Sequence, residues 1–167
     1  TYHLLAALAR RHRVSLLSLQ GEEALDGGME HIRQLGVSVE LFPQAGPVAR
    51  ALQLGRGLVG PLPYNLEKYQ SPSLRGRLRQ LCDVGLVDLV HCDHVHMAPH
   101  GQASGRPFVI DEHNVETVIW KRFARDRGEP LARRALFAQQ AWHLERAERT
   151  LCRLASLVLL CSAADGE

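Results

Sequence analysis

The chain has 167 residues, 46% hydrophobic and 23% charged, with a net charge of +2. That length carries one domain with its own core, and the composition is that of an ordinary soluble globular protein. The small charge argues against a nucleic-acid partner, and no apolar run reaches the roughly 18 to 20 residues that span a bilayer as a helix.

In chain order, residues 1–11 read as a helix with Leu4, Leu5 and Leu8 on one face. Residues 13–19 read as a strand, 20–28 as turn, and 29–35 as a short helix closed by Gly36, a natural residue after a helix end. Residues 37–42 alternate as a strand does, and Pro43 stops them. A helix over 46–60 is expected to anchor through Val48, Leu52 and Leu58, and Pro61 and Pro63 break it. Residues 64–71 read as a polar loop or distorted turn. Ser71 followed by Pro72 is a helix entry, with Ser71 as N-cap, and the helix runs to about Asp83. Residues 87–92 and 107–111 read as strands, with a loop or short helix over 93–97. Helices follow at 115–127 and 131–153, then a strand at 156–161, after which Ser162 is placed to cap another helix.

Strands alternate with helices, and several strands are almost wholly apolar, as in sheets covered on both faces. The expected fold class is α/β: one doubly wound, mostly parallel, Rossmann-like sheet of about five strands, forming a single domain over 1–167. The chain starts inside a helix pattern, without a signal-peptide cleavage site, and ends just after a strand. Both ends are therefore expected to continue into further chain, with a first strand preceding Thr1. Cys82, Cys92, Cys152 and Cys161 show no CxxC spacing, so a reducing, cytoplasmic location is expected.

The densest chemistry lies in Pro107-Phe-Val-Ile-Asp-Glu-His-Asn-Val-Glu-Thr117. An apolar strand ends abruptly in Asp111, Glu112, His113 and Asn114, and a helix follows. Open α/β sheets bind ligands outside the carboxyl ends of their strands, so His113 is expected to meet a ligand there. Asn114 is expected to cap the next helix, with the acids complementing its dipole. Asp111 and Glu112, adjacent on a strand, point apart and make a poor glycosidase-type pair.

A second constellation holds His91, Asp93, His94, His96 and His100. All are zinc-ligand types, yet no recognised ligand spacing is present; polar contact with a ligand is preferred to a metal, and plain solvated loop histidines are the alternative. A strand here puts His91 and Asp93 on one face and Cys92 on the other. Tyr64, Asn65, Lys68 and Tyr69 suit a sugar-binding cleft, or else a plain surface turn. Glu145 and Glu148 read as a solvated helix face, and Trp120 and Trp142 as core. No GxGxxG, GxxxxGK[ST] or GxSxG occurs.

Five stretches together resemble the N-terminal half of bacterial family 4 glycosyltransferases of the GT-B fold, closest to exopolysaccharide-associated sugar transferases. They are Tyr2-His-Leu-Leu-Ala-Ala-Leu-Ala with Arg13-Val-Ser-Leu-Leu; Leu62-Pro-Tyr with Tyr69-Gln-Ser-Pro-Ser-Leu-Arg75; Asp88-Leu-Val-His with Asp93-His94 and Met97-Ala-Pro99; Asp111-Glu-His-Asn-Val-Glu116 with Trp120; and Glu148 with Cys152 and Val158-Leu-Leu-Cys-Ser162. The resemblance implies an acceptor-side domain of a retaining hexosyltransferase that uses a nucleotide-sugar donor and a glycan or lipid-linked acceptor. A second domain, beyond Glu167, would grip the donor, so this stretch alone would be inactive. His113 matches the histidine that contacts the transferring sugar. Asp93, His94, Asp111, Glu112, Asn114, Glu116 and Tyr64 are carried as substrate-binding candidates. No cofactor and no metal is expected, and work at the inner face of the cell membrane is compatible with a lipid-linked acceptor. The alternatives are an epimerase-like Rossmann enzyme, which needs a glycine-rich turn before Thr1, and a non-catalytic α/β binding module.

Overall fold

The structure is a computed structural model that describes residues 2–20 and 28–162. The elements run α1 (Tyr2–Ala9), β1 (Ser15–Gln20), α2 (Gly28–Gln34), β2 (Ser38–Pro43), α3 (Pro47–Val59), α4 (Tyr64–Glu67) and α5 (Pro72–Asp83). They continue with β3 (Val90–Asp93), a 3-10 turn (Val95–Met97), α6 (Ala98–Ala103), β4 (Phe108–Glu112), α7 (Glu116–Arg125), α8 (Leu131–Leu154) and β5 (Leu157–Leu160). The chain is thus mixed α/β, with eight α-helices among the described residues. The helix α6 was not anticipated, and the expected cap at Ser162 concerns a segment outside the described residues. No helix among them is long and apolar enough to cross a membrane.

All strand pairs are parallel, but they form two sheets instead of one: β1 with β2, and β3-β4-β5 in that order. The single five-stranded sheet is corrected on this point. Among the described residues β1 pairs only with β2, and β3 only with β4, so no hydrogen-bonded ladder between them joins the two sets. The expected strand over 87–92 also starts late, at Val90, and Leu86 and Leu89 stay exposed.

Burial is also less even than the apolar strands suggested. Only the central strand β4 is sealed, with Phe108, Val109, Ile110 and Glu112 all buried. Its neighbours on both edges and the helices beyond exclude water from it. β5 is an edge strand, and Leu157 and Leu159 remain exposed while Val158 packs on the core. That core joins Leu66, Cys92, Val95, Ala98, Phe108, Ile110, Leu144 and Leu151. Cys92 behaves there as a small hydrophobe, its thiol pushed up to about 12 by burial. Trp120 packs against this core and meets Phe137 edge-on at 5.8 Å, which locks α7 to α8. Trp142 is not core: it is 56% exposed on α8, with the Arg146 guanidinium 4.9 Å above its ring.

Helix ends largely follow sequence chemistry. Ser71 caps α5 by accepting from the Leu74 amide at 3.3 Å, and Gly36 takes φ +81° past the end of α2. In α3 the expected anchors fail: Val48 and Leu52 are exposed, and Gln53 and Gly57 are the buried positions. The cause is Gly57. A Cβ there would stand 2.3 Å from Tyr64 Cα, so the helix docks on α4 through backbone contact at a glycine. Gln140 of α8 ties the junction, donating to the Gly57 carbonyl and accepting from the Tyr64 amide. Gly55, by contrast, has open space. Gly57→Ala is expected to destabilise the fold by about 1 to 3 kcal/mol, whereas Gly55→Ala stabilises it by about 0.5 to 1 kcal/mol. Urea unfolding of the two variants checks the contrast.

Candidate functional site

The site grows out of strand register. In the β3–β4 ladder Asp93 stands opposite Asp111 and His91 opposite Val109. These four side chains share one face, and Cys92, Ile110 and Glu112 take the other, as alternation requires. His91 Nε2 lies 3.9 Å from Asp111 Oδ2, too far for a hydrogen bond. One residue past each strand the chain turns, and the turns bring histidines to the carboxyl-end rim.

His113 Nε2 bonds Asp93 Oδ1 at 2.9 Å, with the side chains 35% and 45% exposed. An ionised carboxylate only accepts, so Nε2 carries the proton in this pair. The His94 ring packs 4.4 Å from that of His113 and 5.6 Å from that of His96. His96 Nε2 and Glu116 Oε2 both meet the amide nitrogen of Asn65, at 2.9 and 3.0 Å. Tyr69 stacks on His96 at 4.8 Å. His96 and then Asn65 hold the Glu116 carboxyl below its usual range. Burial lowers the His94 imidazole, with the neighbouring charge of His113 adding to it.

His94 is the one described non-glycine residue with positive φ, at φ 68° and ψ 155°. That region is close to glycine-only. Its amide bonds the Asp111 carbonyl at 2.9 Å, extending the ladder, and its carbonyl accepts from Met97 at 3.1 Å to close the 3-10 turn. The two bonds hold the backbone in a conformation that an L-residue resists. Removing the ring while keeping or relieving that strain separates the two contributions. His94→Gly is expected to exceed His94→Ala in unfolding free energy by about 1 kcal/mol, because only glycine takes this φ freely. Paired urea titrations measure the difference.

Several expected residues need correction. Glu112 does not reach the rim: it is 3% exposed, and neither carboxylate oxygen has a hydrogen-bond partner. Burial pushes it up to about 8, with the negative charges of Glu148, Glu116 and Asp111 adding to the effect. The Val95 amide faces it and offsets part of this, without a bond of standard geometry. Asn114 is exposed and does not cap α7, whose N-cap is Val115 with no side-chain cap bond. Glu148 does that work from α8. It accepts from the Glu116 amide at 3.2 Å and from the Thr117 hydroxyl, and it is 8% exposed, not a solvated residue. Glu145 is the solvated one, pairing with Lys121 at 2.9 Å and Arg149 at 2.7 Å.

Tyr64 stands on the α3–α4 junction, while Asn65 and Tyr69 reach the histidines. Asn65 lies within α4, and Tyr69 follows its end in a turn, its amide donating to the Leu66 carbonyl at 3.3 Å. Asp93, His94, Asp111, His113 and Glu116 do converge, and His96, Asn65 and Tyr69 join them. His100 is drawn away, 2% exposed, with Nε2 against the Tyr69 carbonyl at 3.1 Å.

No family model, no curated protein and no solved structure matches the chain.

The buried carboxyls make stability depend on pH. A carboxyl raised on folding is protonated in the native state, so its contribution is present in acid and lost as pH climbs through the folded value. Glu112, at about 8, is faced by Glu148, Glu116, Asp111 and Cys152, and the Cys152 thiol is itself pushed up to about 11 by burial and then by Glu112 and Glu148. Glu112→Gln is expected to match wild type within about 1 kcal/mol near pH 5 and to be the more stable protein near pH 9. Thermal unfolding across that range tests the sign.

Proposed function

We propose that this chain is the acceptor-side domain of a retaining glycosyltransferase, moving a hexose from a nucleotide-sugar donor to a glycan or lipid-linked acceptor. One observation carries the reading. The His113 imidazole stands about one-third exposed at the carboxyl-end rim of a parallel sheet, oriented by Asp93. Such rims are where open α/β sheets hold ligands. The strand orders support the same reading. A pair β2-β1 and a trio β3-β4-β5 are what a doubly wound 3-2-1-4-5-6 sheet comprises apart from its first strand.

The chemistry follows from the pair. With Nε2–H donated to Asp93, a neutral His113 offers Nδ1 as an acceptor to a sugar hydroxyl. Asp93 fixes the orientation of the ring and the position of its proton on Nε2. Asp111 and Glu116, the latter held by Asn65, supply further carboxylate acceptors, and Tyr69 beside His96 an aromatic face, the groups that recognise carbohydrate. Transfer builds positive charge on the sugar and negative charge on the departing diphosphate. The rim residues serve the sugar side, and cations or helix N-termini of a donor domain would serve the diphosphate. Action at the cytoplasmic face of a membrane suits a lipid-linked acceptor.

The test uses the intact enzyme, this domain together with the donor domain the reading requires, and a panel of nucleotide sugars, following release of nucleoside diphosphate. His113→Ala is expected to cut transfer by about 100-fold or more, with Asp93→Asn intermediate and circular dichroism unchanged in both. Near-wild-type turnover in His113→Ala removes the assignment.

A further inference from the structure

We propose that Asp93, His94 and His113 form a binding site for one divalent transition-metal ion of the zinc class. The proposal goes beyond the transferase reading and does not depend on it. Each of the three residues can place one ligand atom within 4.8 Å of the other two. The tightest pair, His113 Nε2 and Asp93 Oδ1, is already at 2.9 Å. Ligands about 2.0 to 2.2 Å from a tetrahedral zinc lie roughly 3.3 to 3.6 Å from one another. Closing the triad on an ion therefore asks for rotamer adjustment, not for backbone movement.

Two imidazoles and a carboxylate favour zinc-like metals over magnesium or calcium, which prefer oxygen ligands. The solvent side of the triad is open, since Asp93 and His113 are 45% and 35% exposed. Water or a ligand hydroxyl would complete the coordination there. On loading, the His113 ring changes tautomer through solvent, its proton passing from Nε2 to Nδ1, so that Nε2 gives its lone pair to the ion while the ring stays neutral, and Asp93 exchanges a hydrogen bond for a metal–oxygen bond.

Two features of His94 single it out. Its Nδ1 is buried without a hydrogen-bond partner, and its backbone sits in a conformation that costs an L-residue energy while aiming the ring at His113. A sparsely populated backbone at a cluster of ligand-type side chains is where function is sought. The neighbouring set of His94, His96 and Glu116 also has ligand spacing. There, however, the buried amide of Asn65 already faces both His96 Nε2 and Glu116 Oε2, so those acceptors are satisfied without a cation.

The test strips the full chain with a chelator. Cobalt(II) is then titrated by its visible absorption, and zinc by competition with a chromophoric chelator. One ion per chain is expected. His113→Ala and His94→Ala should each weaken binding by more than about 100-fold, beyond the usual effect of outer-shell changes. Asp93→Asn should weaken it less, and Glu116→Gln should stay near wild type. Circular dichroism checks folding, and if His94→Ala does not fold, His113→Ala and Asp93→Asn carry the test. Absence of stoichiometric binding by the wild-type protein overturns the proposal. Binding that survives His113→Ala and vanishes in Glu116→Gln also overturns it, by moving the ion to the other set. The readout is occupancy, so a failure here is distinct from a failure of sugar transfer.

Discussion

Parallel pairing of β4 with both its neighbours is the constraint on which the rest of this molecule depends. The ladder sets Asp93 level with Asp111 and carries the chain one residue further on each side, to His94 and His113. A slip of one residue would exchange the faces of the strand. Ile110 would then meet water, and Asp111 would enter the core beside Leu144 and Leu151. The apolar face thus opposes a one-residue slip, which would turn Phe108 and Ile110 away from the core together.

The rim is braced from below by carboxyl groups that never reach it. Glu148 accepts from the first turn of α7 and so fixes where Glu116 stands. Glu116 in turn receives Asn65 from α4, which also faces His96. Helices α8 and α7, the α4 turn and the 3-10 turn are thereby joined through one polar chain. Beneath it Glu112 is buried without a partner, an arrangement tolerable only while it keeps its proton. The same architecture that orders the rim therefore stores unfavourable contributions, in Glu112 and in the His94 backbone. Such costs are commonly concentrated where a protein does chemistry.

Much of the secondary structure was legible because it rests on local chemistry. The cap at Ser71, the turn at Gly36 and the apolar run 108–110 act within a few residues of themselves. The misreadings share a different origin. Val48 and Leu52 looked like anchors, but the surface that α3 meets is a backbone, which admits only Gly57. Asn114 had a capping side chain, yet Glu148 arrived from 32 residues away and took the donors. Trp142 had the composition of a core residue and no core to enter.

The site divides along the same line. Sequence alone determined that a polar cluster ends an apolar strand at Asp111–His113, that His91 and Asp93 share a face, and that the chain alternates strands with helices. Those are consequences of spacing, and spacing is written in the chain. Tertiary structure decided that His113 pairs with Asp93, that His94 lies between His113 and His96, that Asn65 rather than Tyr64 reaches them, and that the strands divide into two sheets. Apart from the neighbouring His94 and His96, these join segments about 20 to 30 residues apart or more, through burial and strand pairing, and no local pattern encodes which distant partner a side chain will meet.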